Sequence, residues 1–228
     1  MRTLPAWVNR LMRIDRGIHR VWTYVRSAPG TYVWLTVLFV TTVAMHRMSP
    51  QFEDEFLRQR STNIHELSSN PVRVLFASAM WIDGGRWLPY AVLYSVFHAP
   101  AERRLGTARW LAVCVAAHVL ASLISEGALL WGIRHGMAPR SALDTLDIGV
   151  SYALAGVVAV LAYLIPSPWR YGYAVAVLLV YGVPLVAGRT FTDLGHFASM
   201  LIGFGCYSLV RGRVKARNPK ETVPAVRG

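Results

Sequence analysis

Two residues that could carry out chemistry together stand near the starts of two strongly apolar segments. Ser151 lies just inside a segment that opens at Asp147, and His196 lies just inside another that opens at Asp193. Burying an ionisable residue in a membrane segment is costly, so such a residue marks a candidate functional site. A serine paired with a histidine is also the minimum arrangement for nucleophilic acyl transfer. The sequence therefore predicts a serine–histidine site, provided that the two segments are helices that meet.

The composition places these residues in a membrane protein. Of the 228 residues, 54% are hydrophobic, and they are concentrated in long runs, which indicates membrane helices rather than a soluble core. The formal net charge of +12 does not indicate nucleic-acid binding, because the arginines stand beside apolar runs instead of forming one basic face. Cys114 and Cys206 lack disulfide or metal-ligand spacing. No phosphate-binding loop or metal-ligand cluster is visible in the sequence, so we predict neither a cofactor nor a metal.

Six apolar segments are predicted to cross the bilayer as helices. The segment 71–82 is too short to cross on its own and is predicted to be re-entrant or interfacial. The result is an all-α membrane domain over 30–210, followed by a basic, disordered tail over 211–228. Residues 1–29 are predicted to form an amphipathic segment on the membrane surface, or alternatively a helix that docks on another protein. The six predicted spans are 31–48, 86–101, 108–131, 147–165, 171–187 and 193–210.

Charge asymmetry predicts that both termini lie in the cytoplasm. In this orientation 16 of the 24 Lys and Arg residues are on the inner side and 8 are on the outer side, as the positive-inside rule favours. The chain would be a multi-pass protein of the cell (inner or plasma) membrane, with the lipid bilayer as its first partner. The fourth and sixth spans then both begin on the outer side. Ser151 and His196 would lie within about one helical turn of the outer interface, where water can reach them.

Rows of small residues indicate that the fourth and sixth spans pack closely. Residues four apart lie on one face of a helix, and small side chains at such positions let two membrane helices approach each other. The alternative is ordinary packing, in which the serine and the histidine are incidental. The rows are Ser151, Ala155 and Ala159 in the fourth span, and Gly195, Ser199 and Gly203 in the sixth.

These motifs resemble those of the rhomboid family, bacterial type. Gly149-Val150-Ser151 resembles the start of the family's Gly-x-Ser-Gly motif, and His196 followed by Ser199 and Gly203 resembles the family's last helix, His-x-x-Gly-x-x-x-Gly. The charged run from Glu102 to Gly106 resembles the turn after the family's second helix. Segment 71–82 resembles its membrane-dipping first loop. The resemblance covers roughly residues 30–210 and implies a six-helix rhomboid-like bundle.

The resemblance also implies a mechanism, intramembrane proteolysis by a serine–histidine dyad without a third carboxylate. Ser151 would be the nucleophile, and His196 would take its proton and later return it to the leaving amine. Tyr152 stands where the family has a glycine, and its ring could fill the substrate site. The family's His-x-x-x-Asn pair, which helps to form the oxyanion hole, falls on Arg86 and Tyr90. Both can donate hydrogen bonds, although Arg86 could instead snorkel to the interface and Tyr90 could simply pack.

Three functions therefore remain open from the sequence. The leading prediction is an intramembrane serine protease that cleaves transmembrane segments, and the main alternative is an inactive rhomboid-like protein that binds transmembrane clients. A weaker alternative is a small transporter using a polar row in the third span, which could equally form hydrogen bonds between helices. Asp147 and Asp193 are predicted to cap their helices, or else to tune the dyad. No feature indicates an oligomeric state. The polar row consists of His118, Ser122, Ser125 and Glu126.

Overall fold

The computed structural model describes residues 19, 21–188 and 190–217 of the chain. All regular structure in this part of the chain is helical, and it contains no β-strand, which confirms the predicted all-α class. Much of the predicted interfacial segment 1–29 and of the tail 211–228 lies outside the described residues. Where the tail is described, residues 211–217 belong to a helix that begins at Tyr207. No proline interrupts the chain there before Pro219, and proline is the residue that most strongly breaks a helix.

The described chain forms six helical columns, each made of one helix or of several consecutive helical segments, and one partly helical loop between the first two columns. The first column is α1 (Pro29–Met45). The loop after it holds α2 (Pro50–Arg58), α3 (Ile64–Ser69) and α4 (Pro71–Ser78), and it ends in the 3₁₀ turn Asp83–Gly85. The second column consists of α5 (Trp87–Leu93), a π-helical turn (Tyr94–His98) and α6 (Ala99–Leu105). The third is α7 (Thr107–Arg134), and the 3₁₀ turn Arg140–Asp144 follows it. The fourth is α8 (Val150–Val160), continued by the 3₁₀ segment Leu161–Leu164. The fifth is α9 (Trp169–Ala187), and the sixth is α10 (Phe191–Gly205), followed by α11 (Tyr207–Arg217).

The six predicted apolar segments coincide with these columns, although some of their ends differ. The second column extends to Leu105, so the charged residues predicted to form an exit turn belong to its last helical turn. It stops there because Gly106 has a φ of 85°, a conformation that residues with a Cβ atom rarely adopt. The fourth column begins at Val150 rather than at Asp147.

Two helices in the described part, α7 and α9, are long and apolar enough to cross a bilayer. α1 and the combined helix Val150–Leu164 are also apolar but shorter. About half of the apolar stretch of α7 is buried inside the protein, whereas almost none of α9 is. The third column is therefore central to the bundle, and the fifth lies at its edge.

The centre of the bundle is the junction of α7, α8 and α10, which pack against one another. In α8 every residue except Ser151 is buried, so this helix is surrounded by protein. Glycines permit the close approach. A Cβ atom at Gly203 would lie 2.8 Å from the Cα atom of Gly156, and one at Gly156 would overlap the methyl group of Ala117 on α7. Such close helix contacts are typical of small residues in membrane proteins.

The buried carboxylate of Glu102 connects the first three columns. Glu102 in α6 is only 2% exposed. Its oxygens accept hydrogen bonds from the backbone N–H groups of Gly30 and Thr31 at 2.8 and 2.7 Å, and from the Thr31 hydroxyl at 2.7 Å. The hydroxyl of Thr107, at the start of α7, donates to it as well, at 2.8 Å. Glu102 therefore satisfies free N–H groups at the start of α1 and links three columns.

Candidate serine–histidine site

The structure brings Ser151 and His196 into direct contact. Ser151 is the second residue of α8, and His196 lies in the second turn of α10. The Nε2 atom of His196 is 2.9 Å from the Oγ atom of Ser151, which is hydrogen-bonding distance. Both side chains are half-buried. A neutral imidazole in this position can accept the proton of the serine hydroxyl.

The predicted small-residue row of α10 sets the spacing of the two helices beside this pair. A Cβ atom at Gly195 would lie 2.6 Å from the Cζ atom of Tyr152. One turn later, the hydroxyl of Ser199 donates a hydrogen bond to the carbonyl oxygen of Tyr152. After a further turn, Gly203 meets Gly156. The contacts of this row thus fall on Tyr152 and Gly156, one turn apart on α8, and not on the row that begins at Ser151.

The side chain of Tyr152 fills interior space between the central helices. It is completely buried, and its hydroxyl lies 2.8 Å from Oδ1 of Asp147 and 3.5 Å from Oγ of Ser125. Its ring lies 4.9 Å from the ring of His196, at an angle of 69° between the ring planes. The missing Cβ atom of Gly195 makes room for the ring. Tyr152 therefore packs in the bundle interior on one side of the imidazole, while Ser151 remains partly exposed.

Asp147 does not cap α8 as predicted. The N-cap position is occupied by Gly149, where no side chain caps the helix, while the Asp147 carboxylate accepts hydrogen bonds from Tyr152 and, at 3.1 Å, from the hydroxyl of Thr62. The backbone of Asp147 pairs with the same loop, since its N–H donates to Ser61 Oγ at 2.6 Å. Burial of this loop residue raises the pKa of its carboxyl group to about 6, and the hydrogen bonds from Tyr152 and Thr62 oppose that rise.

Asp193 does cap its helix, as predicted. Oδ2 of Asp193 accepts hydrogen bonds from the backbone N–H and the hydroxyl of Thr190, at 3.2 and 2.7 Å. In return, Thr190 Oγ1 accepts from the backbone N–H of Asp193 at 3.0 Å. This reciprocal capping box fixes the start of α10, the helix that carries His196.

Position 149 requires a glycine because the imidazole of His118 packs directly against its backbone. A Cβ atom at Gly149 would overlap the imidazole of His118, so no larger residue fits without a rearrangement. The His118 ring lies across the interface with α4, where its Nε2 atom is 2.7 Å from the carbonyl oxygen of Leu75 and 3.3 Å from Oγ of Ser78. His118 therefore connects α7, α4 and the turn that precedes Ser151.

Two further members of the polar row on α7, Ser125 and Glu126, lie beside Tyr152 and Asp147. Ser125 is within hydrogen-bonding reach of the Tyr152 hydroxyl, and Glu126, 2% exposed, interacts electrostatically with Asp147. These contacts favour the alternative in which the polar row connects neighbouring helices. No cluster of three or more potential metal ligands occurs among the described residues.

Comparison with known proteins identifies the family. A family model described as a rhomboid-like protein matches residues 23–216, which include all six columns and both members of the serine–histidine pair. The chain belongs to the rhomboid-like family. Among curated proteins and among solved structures, no match to the chain was found.

In this rhomboid-like protein, Arg86 and Tyr90, the candidate oxyanion donors, make no hydrogen bond to the serine–histidine pair. Arg86 is exposed at the start of α5. Tyr90 is half-buried, its ring centre lies 6.3 Å from that of Tyr94, and it packs against the apolar cluster that contains Val150. Among the described residues, neither side chain donates a hydrogen bond to Ser151 or His196. The packing alternative therefore fits Tyr90 in this structure.

Sequence reasoning missed several residues around the imidazole of this rhomboid-like protein. The ring of Tyr181 on α9 lies 6.3 Å from that of His196, with only 21° between the planes. Ser61 and Thr62 hold Asp147 from a loop more than 80 positions earlier in the chain. No local spacing in the sequence connects these residues to the site, because the fold alone brings their segments together.

Proposed function

We propose that this rhomboid-like protein is an intramembrane serine protease, with Ser151 as the nucleophile and His196 as the general base. The observation that carries the proposal is the 2.9 Å separation between the Ser151 hydroxyl and His196 Nε2. The exposure of Ser151 supports it, since this is the one residue of α8 that is not buried. A nucleophile within hydrogen-bonding reach of a base is the signature of covalent acyl-transfer chemistry.

The proposed reaction has two stages, and Ser151 and His196 both end in the protonation states in which they began. Ser151 Oγ attacks the scissile carbonyl carbon while its proton passes to His196 Nε2, giving a tetrahedral oxyanion. When that intermediate collapses, the C–N bond breaks and His196 protonates the leaving amine. A water molecule, deprotonated by His196, then hydrolyses the acyl-enzyme and regenerates the serine.

The first turn of α8 offers donors for the oxyanion. The first N–H groups of a helix have no partner within the helix, and the helix dipole makes this end positive. Ser151 occupies the second position of α8, so its own N–H lies beside the atom that would carry the new bond. Donors of this kind are typically worth ~10²–10³ in rate. Arg86 and Tyr90 are the further candidate donors.

We also propose a location for the protein and a class of substrate. The six columns would be six membrane spans with both termini in the cytoplasm, as charge asymmetry favours, and the protein would reside in the inner or plasma membrane. Ser151 would then sit near the outer interface, within reach of water. The substrate would be a transmembrane segment of a client protein that approaches through the lipid. The edge position of α9, of whose residues only Val177 is buried, leaves that side of the bundle open to lipid.

The test is covalent labelling of the detergent-solubilised protein by a fluorophosphonate probe. Labelling should be abolished in Ser151→Ala and reduced at least ~10²-fold in His196→Ala, because a general base typically contributes that much. It should rise with pH and level off once the imidazole is neutral. Ser122→Ala removes a buried serine hydroxyl that has no hydrogen-bond partner in the described part of the chain, and His65→Ala removes an exposed histidine. Both controls should label like the wild type.

The competing function is that of an inactive protein that binds transmembrane clients. If the folded wild-type protein is not labelled at any pH and cleaves no reconstituted transmembrane segment, the protease proposal is wrong. Retention of such a segment by the unlabelled protein would then support the client-binding alternative.

A further inference from the structure

The imidazole of His196 lies between two tyrosine rings. Tyr152 meets it nearly edge to face at 4.9 Å, and Tyr181 lies nearly parallel to it at 6.3 Å. Both distances are within the range of favourable aromatic contacts. The imidazole is hydrogen-bonded to Ser151 and to the backbone of Thr192, and a ring packed against its side restricts its rotation about the line that joins these two bonds.

The hydroxyl group of Tyr152 is itself held in place by a hydrogen bond. Its hydroxyl lies 2.8 Å from Oδ1 of Asp147, and its ring lies in the space that the absent Cβ atom of Gly195 leaves open. Asp147 is held in turn by the loop before α3, through the hydroxyls of Ser61 and Thr62. A continuous series of contacts thus runs from this loop through Asp147 and Tyr152 to the imidazole.

Packing alone does not account for this arrangement. A phenylalanine would fill the same space, and burying a carboxylate together with a phenol is costly unless both are hydrogen-bonded. What the Asp147–Tyr152 hydrogen bond adds is direction, because it fixes the tilt of the ring that contacts His196. In serine–histidine sites in general, the base is oriented by a third group.

We infer that Asp147, acting through Tyr152, positions the His196 imidazole for proton transfer from Ser151. The inference rests on the proposed function and adds two positioning residues to it. It also gives a reason for a tyrosine after the serine, since the hydroxyl provides the link to Asp147.

The first experiment is a double-mutant cycle read out by fluorophosphonate labelling, with the maximal rate and the half-saturating probe concentration measured separately. Tyr152→Phe and Asp147→Ala should each lower the maximal rate about tenfold, because small misplacements of a catalytic group are costly. The half-saturating concentration should stay within about twofold, and the double variant should be no slower than either single variant. Asp147→Asn keeps an acceptor oxygen for the tyrosine and should restore most of the rate.

The matched control is Tyr163→Phe. It removes another tyrosine hydroxyl that bonds between the fourth column and α10, at 2.7 Å to the carbonyl oxygen of Phe204, but far from the pair. It should lower the thermal midpoint without changing the maximal labelling rate. The inference is overturned if Tyr152→Phe labels at the wild-type rate, or if the losses in the two single variants multiply in the double variant.

A second experiment is independent of activity. In protein labelled with ¹³C at histidine Cε1, the NMR signal that disappears in His196→Ala belongs to His196. This signal should broaden or split in Tyr152→Phe and in Asp147→Ala, and stay sharp in Tyr163→Phe. Thr62→Val disturbs Asp147 from the loop without altering any helix and should broaden it partially. An unchanged signal in Asp147→Ala overturns the inference even where the protein shows no labelling, whereas absent labelling with a broadened signal counts only against the proposed function.

Discussion

Gly203 allows a direct test of how closely α8 and α10 must approach for the site to form. A Cβ atom at this position would lie 2.8 and 2.9 Å from the Cα and carbonyl carbon atoms of Gly156, and nearer still to its carbonyl oxygen. Real Cβ atoms essentially never come within 3.0 Å of such neighbours. These neighbours are backbone atoms and cannot turn aside. In Gly203→Ala the helices must therefore separate by roughly half an ångström or more, because a close-packed interior has no slack.

The expected cost of that separation is about 1–3 kcal/mol from overpacking, reduced by up to ~1 kcal/mol because alanine favours a helix more than glycine does. Gly205→Ala is the matched control, since a Cβ atom there would meet no atom of the described residues within 4 Å. In detergent, the thermal midpoint of Gly203→Ala should fall by several degrees, at about 2–4 °C per kcal/mol. That of Gly205→Ala should stay the same or rise.

The same separation should reach the serine–histidine pair, which lies two turns away on the same two helices. Lengthened by about half an ångström, its 2.9 Å separation exceeds the ~2.7–3.2 Å range of good hydrogen bonds. Fluorophosphonate labelling of folded Gly203→Ala should therefore fall well below that of Gly205→Ala. Equal midpoints and equal labelling in the two variants would refute the reasoning, because they would show that α8 and α10 are not in close contact at Gly203.

Two further predictions concern the other end of the bundle and its orientation in the membrane. Glu102→Gln should lower the thermal midpoint in detergent, because an amide N–H₂ group would face donors that now bond to a carboxylate, and such bonds are worth ~1.5–3 kcal/mol each. As a control, Glu55→Gln changes an exposed residue and should leave the midpoint unchanged. Equal effects of the two substitutions would contradict the role given to Glu102. Cysteines introduced at the exposed positions Ser69 and Arg140 should react with an impermeant maleimide in intact cells, whereas one at Ser167 should not; equal labelling at Ser167 would rule out the six-span orientation.

Much of the fold was predictable because helix positions in this chain depend on local sequence. Apolar runs broken by turn residues and charges gave the order of the columns, and Asp193 could be assigned as a cap because its partner, Thr190, lies three residues away. The juxtaposition of Ser151 and His196 was predictable in outline, since each follows the start of its apolar segment by a similar number of residues. The small-residue row of α10 indicated which face packs closely.

The role of Asp147 was not predictable, because its partners come from distant segments. From spacing alone an aspartate just before an apolar helix looks like a cap, yet Thr62 and Tyr152 bind its carboxylate. Arg86 and Tyr90 show a related difficulty. Counting residues along the second column places them at the family's oxyanion positions, but side-chain direction and packing decide whether a residue faces the site. Tyr90 packs against an apolar cluster, and its role as a donor stays a prediction.

The tyrosine after the serine illustrates how a residue on a neighbouring helix can accommodate a departure from the family motif. A glycine is expected at the position of Tyr152, and by itself a ring there would collide with the neighbouring helix. Opposite it, however, Gly195 has no Cβ atom, and the ring occupies that space while its hydroxyl reaches Asp147. Replacing Tyr152 by glycine would therefore not reopen an obstructed site. It would leave a cavity beside Gly195, remove the aromatic contact to His196 and deprive a buried carboxylate of a donor, which is costly in itself. Residues that differ from a family motif thus need to be judged together with the residues they touch, because here the space taken by one side chain is the space that another lacks.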